Sequence, residues 1–411
     1  MRRKIEILAP AGDMICLQAA LDAGADAVYL GLGGFDMRRI VAGNFTAASL
    51  ADAAARCRAR GAKLYLALNT IVFEDELAAV REQLAAAKPH VDAVIAADWA
   101  VCGACRELGI PFHVSTQMSC SNSQAAAFLK AQGASRIVLA RECTLDEVAR
   151  IAAAADVEIE VFVHGATCVA ESGRCLLSHE AYGHSASRGD CRQPCRRRYR
   201  VREVREGEGS DAAFEVESHA VFSARDLCSL PFLDRLAATG AASFKIEGRA
   251  RNADYVRTVV GAYREGVDAV ADGRFTPELA EALVARVSRV YHREFGAGLY
   301  HGRPGAEQFA TLEENQATHI KRHAGIVLHY YPKAKVAQVL VQDSPIRTGD
   351  ELSIQGPTTG VVAFEAGPLR REEEVVAVAE RGNWVTLACP SPVRVNDKVF
   401  RVEPVRASGQ N

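Results

Sequence analysis

"RIVLARECTLDEVARIAAAADVEIEVFV", residues 136–163, reads as two strand-like runs, 136–140 and 158–163, separated by an Ala-rich amphipathic stretch, 144–154. The stretch opens with Thr144-Leu-Asp-Glu, the form of a capping box, in which the threonine oxygen satisfies a free helix N–H. A strand, a helix and a second strand in close succession predict parallel neighbours in a sheet whose faces are covered by helices.

The same alternation extends outward on both sides. Further strand-like runs fall at 5–9, 27–30, 63–68, 93–97, 112–115 and 243–246, with helix-like stretches at 14–23, 48–60, 74–87 and 123–132. Eight strands fit a (β/α)8 TIM-like barrel better than an open doubly wound sheet, so the expected class is α/β. Between the seventh and eighth runs lie about eighty residues, a connection that a compact domain rarely carries without a functional reason. This insertion, at about 164–240, is expected to hold a loop at 168–200, a hairpin at 199–222 and a helix at 226–239. The barrel domain is placed at 1–272 and closes with a helix at 253–272. A helical segment and linker follow at 273–322, with a helix at 277–290. Short Val-rich runs separated by turns then predict a small C-terminal β-barrel domain at 323–405.

With 411 residues, 49% of them hydrophobic, the chain can bury a large core. A net charge of −2 leaves any basic surface local. The N-terminus lacks an apolar signal region, and no run approaches the roughly 20 apolar residues that span a bilayer. A cytoplasmic protein with no membrane partner is expected. Thiols stay reduced there, so twelve cysteines point away from a disulfide framework and toward metal or catalysis.

Four of them, Cys168, Cys175, Cys191 and Cys195, share the irregular segment after the seventh strand. A loop can bring four thiolates around one centre, whereas a strand sends them to opposite faces. Zinc and iron–sulfur clusters both accept four cysteines, and the spacing does not separate them. Cys228 is either a fifth ligand or a core residue. Cys102 and Cys105 have redox-motif spacing, but they lie in an expected helix without the thioredoxin context and read as structural thiols. Arginines 188, 192, 196, 197, 198 and 200 can offset cluster charge or hold phosphates, or simply form a solvated face.

Barrel enzymes place their chemistry at the C-terminal ends of strands. There the sequence puts Asn69, His113 through Gln117, Arg141 and Glu142, Glu160 and His164, and Lys245, Glu247 and Arg249. Glu160, His164, Lys245, Glu247 and Arg249 are the catalytic candidates. Lys245 and Arg249 suit a carboxylate-bearing ligand, and Arg196 through Arg198 suit phosphate.

"EVFVHGATCVAESGRCLLS" (160–178) resembles the signature of the U32 peptidase, or collagenase-like protease, family. "LAPAGD" (8–13), "GADAVYLG" (24–31), "LALNT" (66–70), "RGDCRQPCR" (188–196) and "FKIEGR" (244–249) match its other recurring blocks. The resemblance covers about residues 5–300. It implies an oxygen-independent hydroxylase with a 4Fe–4S cluster on Cys168, Cys175, Cys191 and Cys195, and prephenate, a small dicarboxylate, as co-substrate. Its branches act on a tRNA wobble uridine, giving 5-hydroxyuridine, on a cytidine of large-subunit rRNA, or in anaerobic ubiquinone synthesis with a homologous partner subunit. One member of the last branch lacks a match to Cys195 and uses a cysteine nearer Cys228, which puts the fourth ligand in question. "RGDCRQPCR", the extra β-domain and the moderate length favour the tRNA branch. A peptidase is the alternative, although Gly-x-Ser-x-Gly and His-Glu-x-x-His motifs are absent; Cys168 with His164 would be its thiol–imidazole pair.

Overall fold

The computed structural model describes residues 4–38, 45–202, 215–218, 222–303, 305, 308–312 and 315–405. Seven parallel strands, β1 (Glu6–Pro10), β2 (Ala27–Leu30), β3 (Lys63–Leu68), β4 (Ala93–Ala96), β5 (Phe112–Val114), β6 (Arg136–Val138) and β7 (Glu158–Gly165), pair in sequence order. β8 (Ser243–Ile246) pairs in parallel with both β1 and β7 and so closes the barrel.

Strand alternation divides the side chains between two cores. On β3, Leu64, Leu66 and Leu68 face the helical layer, while Tyr65 and Ala67 belong to a separate cluster inside the barrel with Leu8, Tyr29 and Ile95. The helices start where their side chains satisfy free N–H groups. Asp13 accepts from Cys16 N at 2.7 Å. Thr144 and Glu147 form the expected capping box, with Thr144 N donating to Glu147 Oε2 at 2.7 Å.

β7 is irregular. Its register against β8 runs Glu160↔Ser243, Val161↔Phe244 and Lys245↔Phe162, then shifts so that Ile246 faces His164. The extra residue, Val163, is a bulge, which bends a strand and re-aims the side chains beyond it. The carbonyls at this irregularity are met by buried tyrosines: Tyr300 donates to Phe162 O at 2.6 Å and Tyr263 to Val163 O at 2.7 Å.

The insertion between β7 and β8 contains a short helix, Leu177–Tyr182, and a hairpin of Tyr199–Arg202 with Glu215–Ser218. Residues 226–239 are not one helix, as the sequence suggested. Asp226–Cys228 is a strand antiparallel to the end of β7, and the helix proper is only Leu233–Ala238. Pairing of Leu227 with Gly165 captures the first residues, and Pro231, with no N–H to donate, sits where helical turns begin.

The helix Pro277–Val287 leads toward an eight-stranded antiparallel sheet with a core of its own. Its first strand is His319–Tyr331, so the β-rich unit starts before residue 323; His319 is already paired with Pro404. The strand order runs from Gly360–Glu365 at one end to Glu374–Val376 at the other. This sheet packs on the barrel helices Met14–Asp22 and Ala253–Ala271 through Gly360 and Val361. No helix of the described residues is long and apolar enough to cross a membrane.

Candidate functional site

At the C-terminal ends of the strands lies a cavity of about 80 Å³. Four cations border it: Arg38, Arg141, Lys245 and Arg249, with Glu247 among them. Asn69, Ser115 and Gln117 supply amide and hydroxyl groups, and the rings of Tyr29 and Phe162 supply flat apolar walls. Cys168 borders the same cavity, so the cysteine segment lies against the barrel mouth.

The charges are held by a layered network. Below the cavity, Glu160 is fully buried and accepts from Lys245 Nζ at 2.9 Å and Arg136 Nη1 at 3.0 Å. Burial raises its pKa, but Lys245 and Arg136 outweigh burial and hold the carboxyl down to about 2. Lys245 bears the cost of the same burial. Its ammonium is pushed below the ordinary lysine range despite Glu160, and lies 4.5 Å from the centre of the Tyr29 ring. His113 lies deeper in the lumen beside Tyr65, and burial, with Arg136 adding, lowers its pKa to about 3.

Glu247 is buried yet stays in its charged form, because Arg38, Arg251 and Arg141 outweigh desolvation; Arg38 Nη2 is 3.2 Å from it. Arg38 is in turn kept charged against burial by Glu247 and by the nearby Cys168 and Cys191. Arg249 donates to Asp36 Oδ1 at 2.7 Å, and Asp36 also holds Arg38 N at 2.8 Å. Both sit under Gly31, where a Cβ would come within 2.4 Å of Asp36 Oδ2. Asp36 therefore holds the Arg249 guanidinium directly and the main chain of Arg38 beside it. Arg141 donates to Ala166 O at 3.0 Å and lies 3.9 Å from the Phe162 ring centre.

Of the sequence candidates, Lys245, Glu247 and Arg249 border the cavity, and Glu160 lies one layer beneath it. His164 does not border it. The β7 bulge turns its ring into the helical layer, 5.5 Å from Tyr263 and 5.4 Å from Phe295. Burial, with His292 adding, lowers its pKa to about 3. Cys228 is a core residue, paired across the strands with His164 and excluded from the mouth. Arg196 is committed to main-chain carbonyls, Thr167 O at 2.8 Å and Ala224 O at 2.9 Å, and so braces the cysteine segment rather than offering a phosphate contact. Tyr29, Asp36, Arg38 and Phe162 were missed. The strand-end rule, applied to β2 and the Gly-Gly-Phe-Asp-Met-Arg that follows it, would have found the first three.

All twelve cysteines are free, and only Cys168, Cys175, Cys191 and Cys195 lie outside the buried class. They sense one another. Cys195 is pushed up to about 11, first by burial and further by Cys191, Cys168 and Cys175, with Arg196 opposing. Among the described residues, however, no group of three or more His, Cys, Asp or Glu side chains is placed to hold a metal ion. The four thiols match a four-thiolate cluster in number and kind, but among the described residues their side chains do not converge on one centre.

A larger cleft, about 780 Å³, runs between the helical layer and the antiparallel sheet. Two ion pairs, Lys321 with Asp254 and Arg289 with Glu351, join the helical side of this cleft to the sheet. The strand-end cavity instead gathers cations in excess.

The family model described as Peptidase family U32 matches residues 12–310. The chain belongs to peptidase family U32. Among its U32 relatives, a Porphyromonas gingivalis protein named collagenase is 35% identical over 97% of this chain and 98% of its own length. The tRNA hydroxylation protein P1 of Bacillus subtilis is 32% identical, covering 86% of this chain and 84% of that protein. A 23S rRNA 5-hydroxycytidine synthase of Escherichia coli is 36% identical over 70% of this chain and 43% of its own length.

Proposed function

We propose that this U32 protein is an oxygen-independent RNA hydroxylase that forms 5-hydroxyuridine in tRNA with a prephenate-like dicarboxylate as donor. The observation that carries the reading is the strand-end cavity, where Arg38, Arg141, Lys245 and Arg249 converge beside Cys168. The names of the Bacillus subtilis and Escherichia coli relatives support an RNA substrate.

Lys245 and Arg249 bind the donor's carboxylates by charge-assisted hydrogen bonds. Glu160 and Asp36 hold these two cations in place from beneath. Tyr29 and Phe162 line the cavity, with Lys245 and Arg141 set over their rings. The target pyrimidine approaches across the rim, extruded from its stack. Cys168, Cys175, Cys191 and Cys195 would hold a 4Fe–4S cluster, which when bound supplies one-electron chemistry beside the cavity wall. Arg196 braces the segment that carries them.

Nucleosides from a deletion strain test this directly. Loss of 5-hydroxyuridine from tRNA is expected, restored by the intact gene. Retention of every hydroxylated pyrimidine in tRNA and rRNA would overturn the reading. Loss from rRNA alone would move the substrate to a ribosomal cytidine. A peptidase is favoured by the collagenase name of one relative, but His164, the imidazole expected to serve Cys168, is turned away from the cavity. Cleavage of gelatin by a colourless preparation would restore it.

A further inference from the structure

The rim of the barrel mouth exposes apolar side chains that the core does not need. Among the described residues, Phe73 is 55% exposed, Ile71 49%, Leu176 69% and Tyr182 37%. Scattered exposed hydrophobics are ordinary, but Ile71 and Phe73 lie in the turn after β3, and Leu176 and Tyr182 lie in the cysteine segment that this turn contacts. Ile71 N donates to Ser187 O at 3.3 Å, which joins the turn after β3 to the cysteine segment. Asn69 from the first segment and Cys168 from the second border the cavity.

The exposed rings are fixed in place. Glu76 accepts from Phe73 N at 2.8 Å and from Arg188 Nη1 at 2.8 Å, and Arg188 also donates to Ile71 O. The Arg188 guanidinium then lies 4.5 Å from the Phe73 ring centre, backing one face of a ring that remains more than half exposed. Arg197 stands in the same way 5.1 Å from the Tyr182 ring centre. Residues 168–200 carry seven arginines against three carboxylates, a formal +4 in a chain whose total is −2. Aromatic faces held beside guanidinium groups in a locally cationic segment are what single-stranded nucleic acid requires. Each base stacks on a ring, and the backbone follows the positive charge.

We infer that Phe73 and Tyr182 are stacking platforms for unpaired bases flanking the target pyrimidine. This rests on the RNA reading above and specifies how that substrate is recognised. Stacking contributes through ring faces, so Tyr182→Phe retains it and Tyr182→Ala does not.

The test is equilibrium binding of the full chain to a synthetic RNA hairpin with a pyrimidine-containing loop, beside a fully paired duplex of the same composition. The hairpin is expected to bind more tightly. Phe73→Ala and Tyr182→Ala should each weaken it on the order of tenfold, with Phe73→Tyr and Tyr182→Phe near wild type. Phe128, equally exposed on the helical flank, is the control, and Phe128→Ala should leave affinity unchanged. Wild-type binding that ignores the alanine substitutions, or that prefers the duplex, overturns the platforms while leaving an RNA substrate in place. If wild-type protein binds neither RNA, the platforms and the RNA reading fall together.

Discussion

Glu160 is a carboxylate with no exposure to water, held between Lys245 and Arg136. Removing one member of a buried ion network strands the others, at about 3–5 kcal/mol. Glu160→Gln is therefore expected to destabilise the protein by that amount in chemical denaturation. The pH dependence follows from the lowered carboxyl, about 2 in the folded protein against an ordinary 4.5. Protonation is resisted in the folded state, so the stabilisation is complete above the ordinary value and is lost as pH falls from 4.5 toward 2. Denaturation curves for wild type and Glu160→Gln should converge over that interval. Lys245→Met leaves Glu160 its Arg136 partner and should weaken binding of the proposed dicarboxylate donor, probed with prephenate, by about tenfold or more, read by calorimetry. Lys245, Glu247 and Arg249 were legible as polar residues at a strand end. Asp36 and Arg38 were not picked out, because they lie several residues beyond the end of β2, in the loop that folds back over the mouth.

At the scale of the element, the irregular end of β7 decides which groups face the cavity. Strand periodicity alone extends the alternation of Glu160 and Phe162 to His164 and so assigns the imidazole to the mouth. One extra residue breaks that alternation, and no pattern of apolar residues announces a bulge. Activity should accordingly show no titration of His164 between pH 5 and 8, since its pKa lies near 3; a pH–rate profile checks this. Gly165 follows with φ 104°, and a Cβ there would meet Glu247 O at 2.6 Å. Gly165→Ala is expected to cost about 1–3 kcal/mol and to shift Glu247, visible as a lowered denaturation midpoint together with weaker ligand binding. The eight barrel strands were readable from their apolar runs because burial on both faces writes composition strongly. Residues 226–228 were misread because a pairing partner more than sixty residues away overrides local helical preference.

At the scale of the whole molecule, the barrel and the antiparallel sheet meet at Asp254. Its carboxylate takes Gln355 Nε2 at 2.7 Å, Ser353 Oγ at 2.9 Å and the Lys321 ammonium. Asp254→Ala should loosen this seam and split thermal unfolding into two transitions; a single unshifted transition would show the seam to be dispensable. The change from helical to alternating texture revealed the second unit, but the seam rests on side chains that no sequence pattern brings together. The proposed function rests on the cysteine segment lying against a cationic mouth. Quantifying iron and acid-labile sulfide in protein purified without oxygen tests that most directly. About four of each per chain, lost in Cys175→Ala with the fold intact, is the predicted result. A folded, colourless wild-type protein containing neither would contradict it.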